Sequence, residues 1–214
     1  MKDLPPSPFS GDDGSAEPSV ARAVAGGDVA AVVATLPGTR LLVGVVPDGD
    51  GSGDIALVTL TAPDGRRALP AFTSTAALAA WDGGARPVPV DARRVALSAV
   101  DEGCDLVVLD PGTASVLLPR PAVWALAKGI EWVPAPLRRD VEQALRRVTA
   151  EFDEVTDVHP EAGRRAELAV VLAVRPGLDA EALAELTQRV SQALTAEQVV
   201  ADHVDSIELR ITSS

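Results

Sequence analysis

The stretch that most constrains the fold is RALPAFTSTAALAAWD, from Arg67 to Asp82, because a strand pattern passes directly into a helix pattern. The spacing predicts a strand over Arg67 to Phe72 and a short helix over Thr75 to Trp81. Ser74 precedes the helix and is expected to cap it, because a serine side chain at that position accepts a hydrogen bond from the first-turn amides. The chain must therefore turn a tight strand-to-helix corner here.

The corner is rich in large apolar side chains for a chain whose aromatic content is only 3%. Phe72 just precedes the capping serine, and Leu78 and Trp81 lie three residues apart on one helix face. These three side chains are expected to pack together over the corner. The simplest interpretation is a folding corner that carries no chemistry.

Two runs around this corner, LPAFTSTAALAAW and PVPVDARRVALSAVDEGCDLVVLDP, resemble the N-terminal domain of the SseB family. Members of that family typically show a strand ending in Phe-Thr, a helix that closes on Trp, a short valine-alternating strand and an Asn-Pro turn. Here Asp110-Pro111 stands at that turn. The resemblance covers roughly Leu36 to Gly129, and the remainder looks like the C-terminal domain of the same family. It implies a fold and no particular reaction.

Composition divides the chain into a tail and two domains. Residues 1–18 are rich in Pro, Ser, Gly and Asp and are predicted to be a disordered tail. Residues 19–129 are predicted to form an α+β domain, in which helices pack on a mixed sheet. Its first three strands, Arg40 to Val46, Ile55 to Thr61 and Arg67 to Phe72, are expected to form a meander.

The second, smaller domain is predicted over residues 137–214, after a boundary at Gly129 to Pro136, where two prolines and a composition shift occur. A strongly amphipathic helix opens it, because apolar residues recur every three or four positions. These residues are Leu137, Val141, Leu145, Val148 and Phe152. Two strands, a helix over Ala180 to Leu194 and a final strand complete the order αββαβ. This α+β domain is expected to carry both helices on one face of its sheet, like a split βαβ unit.

The formal net charge is −12, and residues 1–135 and 136–214 each contribute −6. An acidic surface repels phosphate backbones and anionic lipids, so neither nucleic acid nor a membrane surface is an expected partner. The sequence shows no run of 18 apolar residues and no apolar signal segment near its start. Cys104 is the only cysteine, which fits a reducing compartment. A cytoplasmic protein is therefore predicted.

Few side chains in the sequence suggest catalysis. Cys104 could act as a nucleophile if a base lay nearby, but its place at the head of an apolar strand favours a buried thiol with a raised pKa. The two histidines, His159 and His203, both belong to the second domain, which leaves no evident Cys–His or Ser–His pair. Asp202 and Asp205 flank His203, so a three-ligand metal cluster is conceivable, although a plain exposed loop is the favoured interpretation.

A Gly-rich acidic segment superficially resembles a calcium-binding loop. Asp48, Asp50 and Asp54 lie in it, but no glutamate follows at the twelfth position of the loop. A flexible acidic hairpin loop is therefore favoured. The sequence also has no Gly-rich phosphate motif, because no glycine run ends in Gly-Lys-Ser or Gly-Lys-Thr.

Three arginine doublets, at 138–139, 146–147 and 164–165, could suggest a nucleic-acid surface. They alternate with acidic residues, however, and two of them lie on the predicted amphipathic helix. Pairing of Glu142 with Arg138 and with Arg146 along that helix explains the first two doublets better than a basic patch does.

The sequence therefore predicts no catalytic residue, no cofactor and no bound metal. The favoured function is a non-catalytic module that binds a protein partner or associates with itself. The alternative is an enzyme or small-ligand binder with a pocket between the domains, near the turn from Pro111 to Ser115. Such a pocket needs polar side chains that converge. The candidates are Thr73, Ser74, Asp110 and His203.

Overall fold

A computed structural model describes residue 9 and residues 11–47, 55–62 and 64–213. The chain divides into two compact units, Met1–Trp132 and Val133–Ser214, so the division falls inside the segment from Gly129 to Pro136. The elements of the first unit are α1 (Pro18–Gly26), α2 (Val29–Thr35), β1 (Arg40–Pro47), β2 (Ile55–Leu57), β3 (Leu60–Thr61), β4 (Arg67–Ala71), α3 (Thr75–Trp81), β5 (Arg86–Asp91), α4 (Ala92–Asp101), β6 (Leu106–Leu109), β7 (Val116–Leu118) and α5 (Arg120–Lys128). Those of the second unit are a 3-10 turn (Ala135–Leu137), α6 (Arg139–Thr149), β8 (Val155–Ala162), β9 (Leu168–Val174), α7 (Ala180–Ala196), α8 (Gln198–His203) and β10 (Ile207–Ser213).

The strands of the first unit form two sheets, where the sequence predicted one mixed sheet. One sheet has the order β2-β1-β5 and is antiparallel; the other has the order β3-β4-β6-β7, with β4 and β6 parallel. The predicted meander fails because its middle strand breaks after Leu57, so that β2 pairs with β1 while β3 pairs with β4. Leu42 and Phe72 exchange two backbone hydrogen bonds of 2.8 Å and thereby join the sheets.

The main core of the first unit lies between its helices and its sheets. Alternate residues of the parallel pair, Leu69 and Ala71 in β4 and Val107 and Leu109 in β6, face this core, as the period of two in a strand requires. Helices α1, α2, α4 and α5 supply the other side of it. Helices packed on mixed and antiparallel sheets confirm the predicted α+β class.

The strand-to-helix corner is built as the sequence predicts. Phe72, Leu78 and Leu42 form a small buried cluster of their own, against which the half-buried Trp81 packs. The ring centroids of Phe72 and Trp81 lie 5.3 Å apart at a tilt of 42°. The Ser74 hydroxyl accepts a hydrogen bond of 3.1 Å from the Ala77 amide, which confirms the cap.

Strand β5 is an edge strand that resists further pairing. Leu42 pairs with Pro89, and Gly44 pairs with Pro87. The backbone of Leu42 bonds Phe72 on its other side, so the Leu42–Pro89 pair is not a hydrogen-bonded one. The backbone nitrogens of both prolines therefore point to the outer edge of the sheet. Because proline has no N–H group, this edge has few hydrogen-bond donors for an incoming strand.

The second unit is a three-stranded sheet in the order β10-β9-β8, with helices on one face. Strand β10 is parallel to β9 and pairs with it directly, so the βαβ crossover is an adjacent one and not the predicted split form. The predicted first core residue was also wrong. Leu137 is 74% exposed, because it ends a 3-10 turn and the helix starts only at Arg139.

The other face of this sheet carries a chain of ion pairs over small apolar residues. Arg210 contacts Glu161 at 3.1 Å and Glu208 at 2.6 Å, which links the two outer strands. In the register of the sheet, Arg210 stands beside Val171, and both glutamates stand beside Ala169. Val171 and Ala169 are buried, yet neither belongs to a hydrophobic cluster of the described residues, so the stems of the charged side chains help to shield them.

Lowering the pH is expected to destabilise this unit through Glu208. The Glu208 carboxylate accepts hydrogen bonds from the Arg164 amide, which has the largest effect, and from the Arg210 guanidinium. These bonds lower the pKa of Glu208 from 4.5 to about 2. Because the folded-state pKa lies below the unfolded value, the stabilisation is complete above pH 4.5 and is lost as the pH falls towards 2. Glu208→Gln should lower the melting temperature of the second unit at pH 7 and flatten its decline between these pH values. Equal slopes for wild type and variant would contradict the assignment.

Candidate functional site

A buried polar cluster lies where the two parallel strands of the first unit end. Thr73 follows β4 and Asp110 follows β6, and the carboxyl ends of parallel strands meet at one edge. The Asp110 carboxylate accepts hydrogen bonds from the Thr73 amide at 2.8 Å and from the Thr73 hydroxyl at 2.7 Å. Both residues are buried. The carboxylate therefore clamps the two strand ends together.

The backbone of Asp110 adds a second constraint. Its φ of 47° is the only positive value at a non-glycine residue in the described part of the chain. Its carbonyl accepts hydrogen bonds from the Thr113 amide and hydroxyl, at 3.2 and 3.1 Å, and from the Ser115 hydroxyl at 3.3 Å. Asp110 thus shapes the turn from Pro111 to Ser115 while its side chain holds Thr73.

Arg40 extends the cluster towards the start of the chain. This side chain is only 7% exposed, donates from Nη1 to the Thr73 carbonyl at 3.1 Å, and pairs through Nε with Asp12 at 2.6 Å. The prediction of a disordered tail over residues 1–18 therefore fails for residues 11–18, which are attached to the first unit and lead into α1. Residues 1–8 and residue 10 lie outside the described part.

The four polar side chains expected to converge do so only in part. Thr73 and Asp110 are in contact, but the Ser74 hydroxyl is engaged as a helix cap. His203 belongs to the second unit, where its Nε2 lies 3.9 Å from Asp140. In the contacts described, the Asp110 carboxylate accepts the hydrogen bonds that Thr73 donates, as in a structural link between two strands. Asp110 is therefore not a free base beside a nucleophile.

Cys104 is a buried free thiol, as predicted. Burial raises its pKa, with smaller contributions from the carboxylates of Glu102 and Asp105, and the nearby Arg67 opposes the shift. A thiol in this state is a poor nucleophile at neutral pH, because the thiolate is the reactive form.

The residues considered as metal ligands do not form a cluster. Asp202 accepts a hydrogen bond from Gln198, and the Asp205 amide donates to Glu167, while His203 faces Asp140. Across the described ranges, three or more His, Cys, Asp or Glu side chains nowhere come together as a metal would require. Asp48, Asp50 and Asp54 lie outside those ranges.

One of the two predicted arginine pairs exists, and in the other the arginine has a different partner. Glu142 pairs with Arg146 at 2.8 Å, as expected. Arg138, however, pairs with Asp140 at 2.6 Å and not with Glu142, because it precedes the helix and its side chain folds over the first turn. These arginines are engaged by carboxylates, which agrees with the reading of the doublets as salt-bridged surface.

An exposed apolar surface lies on the paired helices α4 and α5. The helices run antiparallel, because Arg93 at the start of α4 donates from Nε to the Ala127 carbonyl near the end of α5 at 3.1 Å. Leu97 is one turn further along α4, and Trp124 is about one turn earlier along α5, so the two fall side by side. Each is 43% exposed. Lys128 places its Nζ 5.4 Å from the Trp124 ring centroid.

Cations surround one end of this apolar pair. Arg94 is exposed and shares a helix face with Leu97, and Lys128 shares one with Trp124. Arg93 and Arg94 occupy the first turn of α4, where the helix dipole disfavours positive charge. We name the surface formed by Arg94, Leu97, Trp124 and Lys128 the α4–α5 face.

A cavity of about 610 Å³ lies next to this face, within the first unit. The end of α2, the start of α4 and the segment after α5 line it, through Ala34, Pro37, Arg93, Ile130 and Trp132 among others. Ile130 is 61% exposed at its rim. Among the buried side-chain polar atoms of the described ranges, the indole N–H of Trp132 is the one without a hydrogen-bond partner. The cavity is mainly apolar, and three charged residues, Asp91, Arg93 and Glu131, also line it.

A family model described as SseB protein N-terminal domain matches residues 19–125. The chain belongs to the SseB family. No match was found among curated proteins or among solved structures. The matched range runs from α1 into α5, so the SseB domain includes Arg40, Thr73, Asp110 and the α4–α5 face through Trp124. The resemblance of the second unit to the SseB C-terminal domain stays a prediction.

Several features of this SseB protein were missed by the sequence analysis. Arg40 was assigned only to a strand, although a cation at the head of an apolar run is itself a signal that a partner is required. Leu97 and Trp124 lie in helices that were predicted, but which face each helix buries depends on their mutual packing. The acidic pair Asp12-Asp13 gave no apolar signal, so its attachment to Arg40 was invisible.

None of the helices in the described ranges is both long enough and apolar enough to span a bilayer.

Proposed function

We propose that this SseB-family protein is a non-catalytic binding module of the cytoplasm and that its α4–α5 face takes a protein partner. The observation that carries the proposal is the side-by-side exposure of Leu97 and Trp124. A tryptophan left 43% exposed loses much of the stabilisation that its burial would give. Tryptophan and arginine are the residues most enriched among those that dominate interface energies.

The charge around the apolar pair indicates the character of the partner. The whole chain has a net charge of −12, yet Arg93, Arg94 and Lys128 gather at one end of the α4–α5 face. Cations in the first turn of a helix destabilise that helix, so the residues at this position lower local stability. Such a departure from the locally stable choice is typical of functional sites. A partner with acidic groups around an apolar centre complements this arrangement.

Partner capture followed by binding of the purified partner tests the proposal. Wild type and Trp124→Ala are used as baits in a lysate of the native host, and a protein retained by wild type alone is purified. Its dissociation constant for Trp124→Ala should rise by about 30-fold, because truncating a central aromatic of an interface costs about 2 kcal/mol or more. Binding should also weaken with added salt.

The chain offers a matched control for the leucine of this face. Leu97 and Leu117 are the same residue type at the same 43% exposure, but Leu117 lies on strand β7. Leu97→Ala should weaken binding of the purified partner, and Leu117→Ala should leave the affinity for that partner unchanged. Equal retention of partners by wild type and Trp124→Ala, or equal effects of the two leucine variants, would overturn the assignment to this face.

The alternative function, a small-ligand binder or an enzyme, is favoured by one observation, the cavity of about 610 Å³ beside Arg93. Its size falls within the range of ligand pockets, and its mainly apolar walls with a few charged residues suit a small, largely apolar ligand. Trp124 does not line this cavity. Loss of partner binding in Trp124→Ala therefore separates the two functions.

A further inference from the structure

The segment formed by residues 11–17 is attached to the first unit by polar contacts alone. Asp12 pairs with Arg40, and the Gly14 carbonyl accepts hydrogen bonds from the Thr75 amide at 2.8 Å and hydroxyl at 3.2 Å. Asp13 hydrogen-bonds to the Ser15 amide and hydroxyl, and its carboxylate also interacts electrostatically with Arg40. None of these seven residues belongs to a hydrophobic cluster. A segment held without apolar burial opens at low cost compared with the core.

Arg40, by contrast, is fixed in the domain and needs an anion. Its Nη1 donates to the Thr73 carbonyl, and Thr73 is itself held by Asp110. These contacts fix the orientation of the guanidinium. Asp12 receives Nε at 2.6 Å and Nη2 at 3.0 Å, a two-point contact that matches the planar geometry of both groups. Because Arg40 is buried, removal of this carboxylate leaves an uncompensated charge.

The segment does not fill the groove in which it lies. A cavity of about 490 Å³ remains along it, lined by Asp12, Ser15 and Pro18 on one side and by Gly38 and Arg40 on the other. The groove therefore offers a charged anchor, Arg40, and open space beside the bound segment.

We propose that this groove is a binding site for an acidic peptide segment of a partner protein, and that residues 11–17 occupy it as an internal competitor. The bound segment defines the chemistry of the ligand. A carboxylate meets Arg40, the backbone carbonyl of Ser15 accepts from Nη2 of Arg40, and a glycine stands between them. Gly14 has a φ of +80°, and a Cβ on it would approach the Thr75 side chain to 2.7 Å. The recognised pattern is thus Asp-x-Gly.

Tethering determines when an external peptide can enter. A segment joined to its own site by a short linker acts at an effective concentration of the order of millimolar. The closed form therefore excludes weak peptides, and any change that loosens Asp12 or Gly14 exposes the Arg40 groove. None of the residues that line this groove belongs to the α4–α5 face, so its test is independent of the function proposed above.

Competition between the segment and a synthetic peptide tests the inference in the full chain. The probe is a fluorescein-labelled peptide of residues 11–18, and its binding is measured by fluorescence polarisation. Asp12→Asn removes the internal carboxylate, and its dissociation constant for the peptide should be about tenfold or more below that of wild type. Asp13→Asn is the matched comparison and should gain much less affinity, since the hydrogen bonds of the Asp13 carboxylate go to Ser15 and those of Asp12 go to Arg40.

A second variant keeps the test independent of the folding of the first. Gly14→Ala opens the segment sterically while it leaves Asp12 and Arg40 in place, and it should show the same gain in affinity. A control peptide with alanine in place of glycine should bind neither variant. Equal binding of the peptide to wild type and to both opened variants, no binding to any of them, or equal binding of the control peptide would each overturn the proposal.

Discussion

Replacing Phe72 by alanine is expected to unfold the first unit while the second unit stays folded. The Phe72 ring is fully buried against Leu42, Leu78 and Trp81, and its backbone carries the bridge between the two sheets. Loss of a buried phenylalanine ring costs about 3–5 kcal/mol. A small domain has a total stability of about 5–15 kcal/mol, so the first unit becomes marginal. The second unit has its own core and shares none of these contacts.

Hydrogen exchange resolved along the chain measures this outcome. In Phe72→Ala, amides of residues 18–132 should lose protection and those of residues 139–212 should keep it. Leu172→Ala is the reciprocal control, because Leu172 is fully buried in the core of the second unit. That variant should reverse the pattern. Loss of protection across the whole chain in either variant would mean that the two units unfold as one.

Features that depend on a few neighbouring residues were predictable from the sequence. The cap by Ser74 was predicted because capping is a contact within one helical turn. The packing of Phe72 and Trp81 followed from their places on either side of the same corner. Their relative burial did not follow, since Phe72 is fully buried and Trp81 half-buried, and this difference arises from Leu42 on a distant strand.

Features that depend on distant partners were not predictable in the same way. The segment Ile55 to Thr61 looks like one strand, but the two halves pair with different neighbours, and nothing in its own residues marks the break at 58–59. Leu137 continues the helical spacing of the second domain, yet the chain there forms a 3-10 turn that follows Pro134 and contains Pro136. The contact of Asp12 with Arg40 spans 28 positions and involves only polar groups.

The candidate site shows the same division. Asp110 was singled out because of the Asp-Pro turn, which is local. Its bond to Thr73 joins residues 37 positions apart and depends on the parallel pairing of β4 with β6, which no short-range pattern announces. Its positive φ explains why the turn takes Asp here where Asn is typical of the family, because these two residues tolerate the left-handed region best after glycine.

Substitutions of Asp110 are expected to separate its two roles. Asp110→Ala removes both acceptors for Thr73, whose amide and hydroxyl then stay buried and unpaired at about 1–3 kcal/mol each. Alanine also meets the left-handed backbone strain of about 1–2 kcal/mol. The free energy of unfolding of the first unit should therefore fall by about 3–8 kcal/mol, which is comparable to its whole stability.

Asparagine and glycine at the same position divide this loss into its parts. Asp110→Asn keeps an acceptor for the Thr73 amide, tolerates the positive φ and presents an NH₂ group to the Thr73 hydroxyl, which can turn to accept it. Its cost should stay near 1 kcal/mol, the value of one hydrogen bond. Asp110→Gly loses both bonds but escapes the strain, so urea unfolding should place it between Asn and Ala. If Asp110→Gly is as unstable as Asp110→Ala, backbone strain does not contribute to the loss. If Asp110→Asn is as unstable as Asp110→Ala, Thr73 requires a charged partner.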